Sequence, residues 1–112
     1  MPPGAQLSVT DMRLATRHRV NLAVIGEHRL LGDVMMTIVN LSATGFMNQG
    51  ELLLGRGERV TIRLPVLGRI EAFLVWTDAQ RAGFQFERII RQDDFTKLLK
   101  HLQSESRGRP GR

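Results

Sequence analysis

Apolar and polar residues alternate with a period of two along most of this chain, which is the pattern of half-buried β-strands. The pattern begins with Val20, Leu22 and Val24, and turns separate the later runs, for example at Gly26–Glu27 and around Gly68. Six strands are therefore predicted, at 19–25, 33–39, 46–47, 59–64, 70–76 and 82–87.

The period changes to that of a helix after Ile90. The apolar positions then fall at i, i+3, i+4 and i+7, namely Phe95, Leu98, Leu99 and Leu102. Asp93 and Asp94 lie where the helix would begin, and acidic residues suit the positive end of a helix dipole. Short strands followed by one helix predict an all-β fold, a small six-stranded antiparallel β-barrel with a C-terminal α-helix.

The chain of 112 residues has the length of one domain. Residues 1–12 contain two prolines and a glycine and predict a flexible N-terminal arm. The barrel and its helix are expected to occupy residues 13–104. Residues 105–112, rich in arginine and glycine, are expected to form a disordered basic tail.

The composition narrows the cellular setting. The absence of cysteine excludes disulfides and thiolate chemistry and fits a reducing compartment. The apolar runs are far shorter than the roughly 20 residues that span a bilayer, so membrane insertion is not expected. The first residues lack the basic start and apolar core of a signal peptide. A cytoplasmic protein is predicted.

The charge balance is compatible with an anionic partner. Lysine and arginine number 16 against 11 acidic residues, a net charge of +5, and Lys97 and Lys100 are the only lysines. Arginine presents a planar fork that fits phosphate oxygens and guanine edges, so a ligand containing both would suit this bias. The alternative is a basic surface that only keeps the domain soluble.

The sequence gives no pattern for catalysis. His18, His28 and His101 have no metal-ligand spacing, and neither a nucleophile elbow nor a phosphate-binding loop occurs. We therefore expect neither an enzyme nor a metal or cofactor. Trp76 and the phenylalanines alternate on strands as core residues do, which makes an exposed aromatic platform for single-stranded nucleic acid less favoured.

Two short polar motifs carry the candidate chemistry. Arg13 and Arg17 form an R-x-x-x-R pair, and Asn40, Ser42 and Gly45 form an N-x-S-x-x-G turn. Two guanidinium groups at that spacing can pair with phosphates and stack on a purine. The asparagine and serine offer donors and acceptors for a guanine edge, and the glycine permits close approach or a positive φ.

In this order the motifs resemble the signature of the PilZ domain family, small β-barrels that bind the bacterial second messenger cyclic di-GMP. In that family the arginine motif precedes the first strand and the second motif joins strands two and three, as here. Val75-Trp76 and Gly83–Phe86 resemble the family's later strand pair, so the resemblance covers about 13–90. Many members place an arginine directly before the first strand's valine, which makes Arg19 a third candidate, whereas position 15 is alanine.

The resemblance implies a cyclic di-GMP receptor that changes conformation when the nucleotide orders its arm. A protein effector would then read the change and control motility, biofilm or exopolysaccharide. The implied ligand-binding residues are Arg13, Arg17, Arg19, Asn40, Ser42 and Gly45. Two alternatives stay open, a PilZ-like adaptor that binds no nucleotide and a small basic barrel that binds single-stranded nucleic acid.

Overall fold

The computed structural model describes residues 16–108. Its elements are β1 (His18–His28), β2 (Gly32–Leu41), β3 (Gly45–Gln49), β4 (Arg59–Leu64), β5 (Gly68–Asp78), β6 (Arg81–Phe86) and α1 (Gln92–Gly108). The strands form a closed antiparallel barrel in the order β1-β2-β3-β6-β5-β4, followed by the helix. The predicted fold class is confirmed.

Two strand pairings close the barrel over long sequence distances. β3 pairs with β6, and β1 pairs with β4 through Gly26 and Glu27. The remaining neighbours are strands that follow one another along the chain. Closure pairs both sides of every strand in the barrel, which removes the exposed edge that an open sheet would present.

The core fills the inside of the barrel and the space beneath α1. Alternate residues point inward, and Ile62 on β4 is completely buried. Phe46 stacks on Phe84 with ring centroids 4.9 Å apart and planes nearly parallel. Phe95 and Leu98 add the buried face of α1, as the helical stripe predicts.

The predicted turn at Gly26–Glu27 is wrong, because β1 runs through both residues to His28. A Cβ on Gly26 would lie 2.7 Å from Met36 Sδ, so a side chain here would require the buried methionine to shift. The chain turns at residues 29–31, and Gly32 provides the positive φ of 76° that leads into β2.

The helix is longer than the sequence predicted. It continues to Gly108, so residues 105–108 are helical, whereas the domain was expected to end at 104. No glycine or proline occurs between 92 and 107, and the glycine at 108 supplies the first break. The arm at 1–12 and positions 109–112 of the predicted tail lie outside the described residues. No helix within residues 16–108 is both long and apolar enough to cross a membrane.

Candidate functional site

A row of residues crosses five strands on the outer surface of the barrel. Its members are direct cross-strand partners, in the order Arg19, Asn40, Met47, Gly83 and Trp76. On three of these strands, the residue next in sequence to the row's member belongs to the core, namely Leu41, Phe46 and Phe84. Because side chains alternate between the faces of a strand, the row points away from the core.

A groove of about 340 Å³ lies beside this row. Arg17, Asn40, Ser42 and Gly45 line one part of it, and Trp76 lines another. The fold thus brings together residues of two motifs that are separated in sequence by most of β1 and β2. Arg19 pairs with Asn40 across the strands but does not line the groove. Arg13 lies outside the described residues.

The prediction made for Trp76 from the sequence is wrong. This residue was expected in the core, but 37% of it is exposed. The register of β5 against β6 shifts between Leu74, which pairs with Phe84, and Trp76, which pairs with Gly83. Val75 is therefore an extra residue, and this bulge turns the indole to the outer surface.

The indole of Trp76 lies directly against Gly83. A Cβ on Gly83 would come within 2.7 Å of Trp76 Cδ1 and would collide with Nε1 as well. Only glycine leaves room for the ring in this position. The bulge is also held from its other side, because Arg56 Nε donates a hydrogen bond of 3.2 Å to the carbonyl of Val75.

Asn40 carries a buried acceptor without a partner. Among the described residues, no donor lies within hydrogen-bond distance of its Oδ1. Leaving such an atom unsatisfied costs about 1–3 kcal/mol, so a structure that retains one invites a specific explanation. Asn40 borders the groove, but its Oδ1 is buried, so a ligand donor would reach this oxygen only after the side chain rotates.

Ser42 has a different role from the predicted one. It is only 5% exposed, and its Oγ accepts hydrogen bonds of 3.2 Å from the amides of both Thr44 and Gly45. The Ser42 amide donates to the Gly45 carbonyl at 2.9 Å. The hydroxyl therefore shapes the turn between β2 and β3, and a contact of Ser42 with a ligand stays a prediction.

Gly45 is required for a reason that the sequence did not reveal. It is not among the glycines with positive φ, which are Gly32, Gly50, Gly57 and Gly68. A Cβ at position 45 would collide with the Phe84 carbonyl oxygen and lie 3.1 Å from Gln85 Cα. The close approach of β3 to β6 explains this glycine without strain in its own backbone.

The groove has a cationic end. Arg17 and Arg19 are exposed, and within residues 16–108 no carboxylate forms an ion pair with either one. Their guanidinium groups are available to an anion. Between them, His18 contacts Phe95 of α1 with ring centroids 5.6 Å apart. The start of β1 therefore contacts the helix through this pair of rings.

A larger cavity of about 680 Å³ lies where the β4–β5 hairpin meets the start of α1. Its lining mixes arginines with acidic residues, and several of these charges are already paired. Arg69 bonds to Glu27 at 3.0 Å, and Glu87 bonds to Arg59 at 2.8 Å. The smaller groove is the better candidate because Arg17, which has no ion pair within residues 16–108, lines it together with the side chain of Asn40 and an exposed indole.

No protein-family model matches this chain, and no curated protein is significantly similar to it. Within the described part of the chain, no group of three or more histidine, aspartate or glutamate side chains is placed to hold a metal ion. The candidate site is accordingly argued from its own geometry.

Proposed function

We propose that the groove binds cyclic di-GMP and that the protein is a non-enzymatic, PilZ-like receptor. The observation that supports this proposal is the meeting of Arg17, Asn40 and Gly45 at one groove beside Trp76. These residues come from motifs that resemble those of cyclic di-GMP receptors.

Each group of the groove suits part of a guanine nucleotide. Arg17 and Arg19 would form charge-assisted bonds with a phosphate or with the O6 and N7 acceptors of guanine. Asn40 Oδ1 would accept from the N–H groups of the base. Trp76 would stack on the purine, a contact worth about 1–3 kcal/mol per base.

The size of the groove suits one half of the ligand. A volume of 340 Å³ is near the lower end of the range of small-molecule sites. One guanine and its phosphate would fill it. The second half would need further contacts, and Arg13, which is outside the described residues, would complete the arginine pair in the proposed complex.

Signalling would follow from the packing of β1. A phosphate that fixes Arg17 and Arg19 also constrains His18, which contacts Phe95 of α1. Ligand binding would thereby alter the helix as well as order the arm, and a protein effector would read the changed surface. In the proposed setting, the bacterial cytoplasm, the output would concern motility, biofilm or exopolysaccharide.

Calorimetry with two cyclic dinucleotides tests the proposal. We expect cyclic di-GMP to bind near micromolar affinity, about −8 kcal/mol. Cyclic di-AMP keeps both phosphates but lacks the guanine edge, so it should bind at least about tenfold more weakly. Equal affinity for the two would show that the groove reads charge alone. If neither nucleotide gives a heat of binding, the remaining alternative is a PilZ-like adaptor that binds no nucleotide.

Single-stranded nucleic acid is the second candidate, and the outward position of Trp76 favours it. An exposed indole beside unpaired arginines is a common means of binding unstacked bases. The two functions differ in salt dependence. Oligonucleotide affinity would fall steeply between 50 and 200 mM salt, roughly in proportion to the number of phosphates contacted. A cyclic dinucleotide has only two phosphates and should respond much less.

A further inference from the structure

The β1–β2 hairpin presents an apolar surface far from the groove. Four large side chains make up this hairpin surface: Ile25 (49% exposed), Leu30 (83%), Leu31 (50%) and Met35 (73%). Ile25 and Met35 are direct cross-strand partners, and the two leucines occupy the turn. Contiguous exposed apolar residues are typical of interaction sites, whereas single ones are ordinary.

The turn that carries the leucines is held rigidly. His28 is buried, and its Nδ1 accepts hydrogen bonds from the amides of Leu30 (3.1 Å) and Leu31 (3.0 Å). Because Nδ1 is the acceptor, the proton is on Nε2, which donates to Glu58 Oε1 at 2.7 Å. A surface fixed in this way loses little conformational entropy when a partner binds.

An acidic row divides the hairpin surface. Glu27 and Asp33 are opposite each other, between the Ile25–Met35 pair and the turn. Like charges in this arrangement destabilise a sheet. Glu27 bonds to Arg69 at 3.0 Å, but within residues 16–108 the Asp33 carboxylate has no ion pair or hydrogen bond. A cation from outside would relieve the repulsion.

We propose that the hairpin surface binds an amphipathic helix of a partner protein, with apolar residues at i and i+8 and a lysine or arginine at i+4. Successive outward rows of a strand are about 7 Å apart, so the Ile25–Met35 row lies about 7 Å from the acidic row, and the turn leucines lie on the other side of that row. On a helix, residues i, i+4 and i+8 rise by about 6 and 12 Å along one face. The two spacings match.

The chemistry of the surface selects this occupant over others. A second hairpin surface packed on it around a two-fold axis would place one acidic row against another. The exposed residues of α1 between 92 and 104 are polar, so the helix of a second copy does not fit. The site is also independent of nucleotide binding, since Asp33 and Asn40 are seven residues apart on β2, or about 23 Å.

A designed peptide provides the probe. An alanine-based helical peptide of about 20 residues, with leucine at i and i+8 and arginine at i+4, is titrated into the full-length protein and followed by amide chemical shifts. We expect saturable shifts confined to residues 24–36. Replacing the peptide's arginine by glutamate should weaken binding at least about tenfold. Asp33→Lys should reverse the preference between the two peptides.

Variants of the protein supply the controls. Met35→Glu changes an exposed side chain, so the fold should survive while binding of the arginine peptide is lost. Leu53→Glu makes the same kind of change at a residue that is 89% exposed in the β3–β4 connection, and it should bind as the unchanged protein does.

Four outcomes would overturn the proposal. The first three are the absence of shifts at millimolar peptide, equal binding of the arginine and glutamate peptides, and shifts outside the hairpin. The fourth is concentration-dependent dimerisation, or binding to zwitterionic vesicles, that Met35→Glu abolishes. Either form of the last result would assign the surface to a second copy or to lipid instead.

Discussion

Replacing Gly83 by alanine should weaken nucleotide binding without harming the fold. The new Cβ would lie in the space that the Trp76 ring occupies, and it would be only 2.7 Å from Cδ1 of that ring. The indole lies on the outer surface, so it can swing away without opening the core. Alanine in a strand is also about 0.5–1 kcal/mol more favourable than glycine, which offsets part of the lost contact.

The magnitude follows from the stacking that would be lost. A base stacked on an aromatic ring contributes about 1–3 kcal/mol, so the affinity for cyclic di-GMP should fall about 5- to 150-fold. The free energy of unfolding should change by less than about 1 kcal/mol. Calorimetry gives the affinity, and urea denaturation gives the stability. Trp76 is the only tryptophan, so intrinsic fluorescence reports on this ring alone.

A double-mutant cycle decides whether Gly83 acts through the indole. In the Trp76→Ala background, Gly83→Ala should cause no further loss of affinity, because the displaced ring is already absent. Additive losses would refute this reasoning. It would also fail if Gly83→Ala bound with full affinity and unchanged fluorescence.

Three further substitutions separate binding from stability. Arg17→Ala should weaken cyclic di-GMP binding by about 1.5–3 kcal/mol in calorimetry and leave the melting temperature unchanged, whereas Arg63→Ala, a matched exposed arginine on β4, should alter neither. Ser42→Ala should lower the free energy of unfolding by about 1–3 kcal/mol in urea, because the Thr44 and Gly45 amides lose their acceptor. A loss of affinity at unchanged stability would instead assign Ser42 to the ligand site. Gly45→Ala should destabilise by about 1–3 kcal/mol in the same assay through its clash with Phe84, and wild-type stability would contradict the close approach of β3 and β6.

Local patterns were sufficient for the barrel. The alternation of Val60, Ile62 and Leu64 with polar residues depends only on which face of a strand is buried, and the structure buries those three. The helical stripe of Phe95 and Leu98 was recovered for the same reason. These features are encoded by residues close together in sequence, so periodicity reveals them.

The features that were missed depend on contacts between distant segments. The outward turn of Trp76 results from the register of β5 against β6 and from the hold of Arg56 on Val75. One local signal was present, because residues 72–76 are all apolar and no longer alternate, which is consistent with a bulge. Gly45 is another case. Its lack of a side chain lets the backbone of β6 pass close to it, and β6 lies about 40 positions later in the sequence.

Mapping cyclic di-GMP onto the protein by NMR tests the central claim most directly. We expect the nucleotide to shift the Trp76 indole N–H, the side-chain amide of Asn40, and the backbone amides of Gly45 and Gly83. Residues on the β4–β5 side of the 680 Å³ cavity, such as Arg69 and Glu71, should be unaffected. Absence of shifts at millimolar ligand, or shifts centred on that larger cavity, would contradict the assignment of the groove as the nucleotide site.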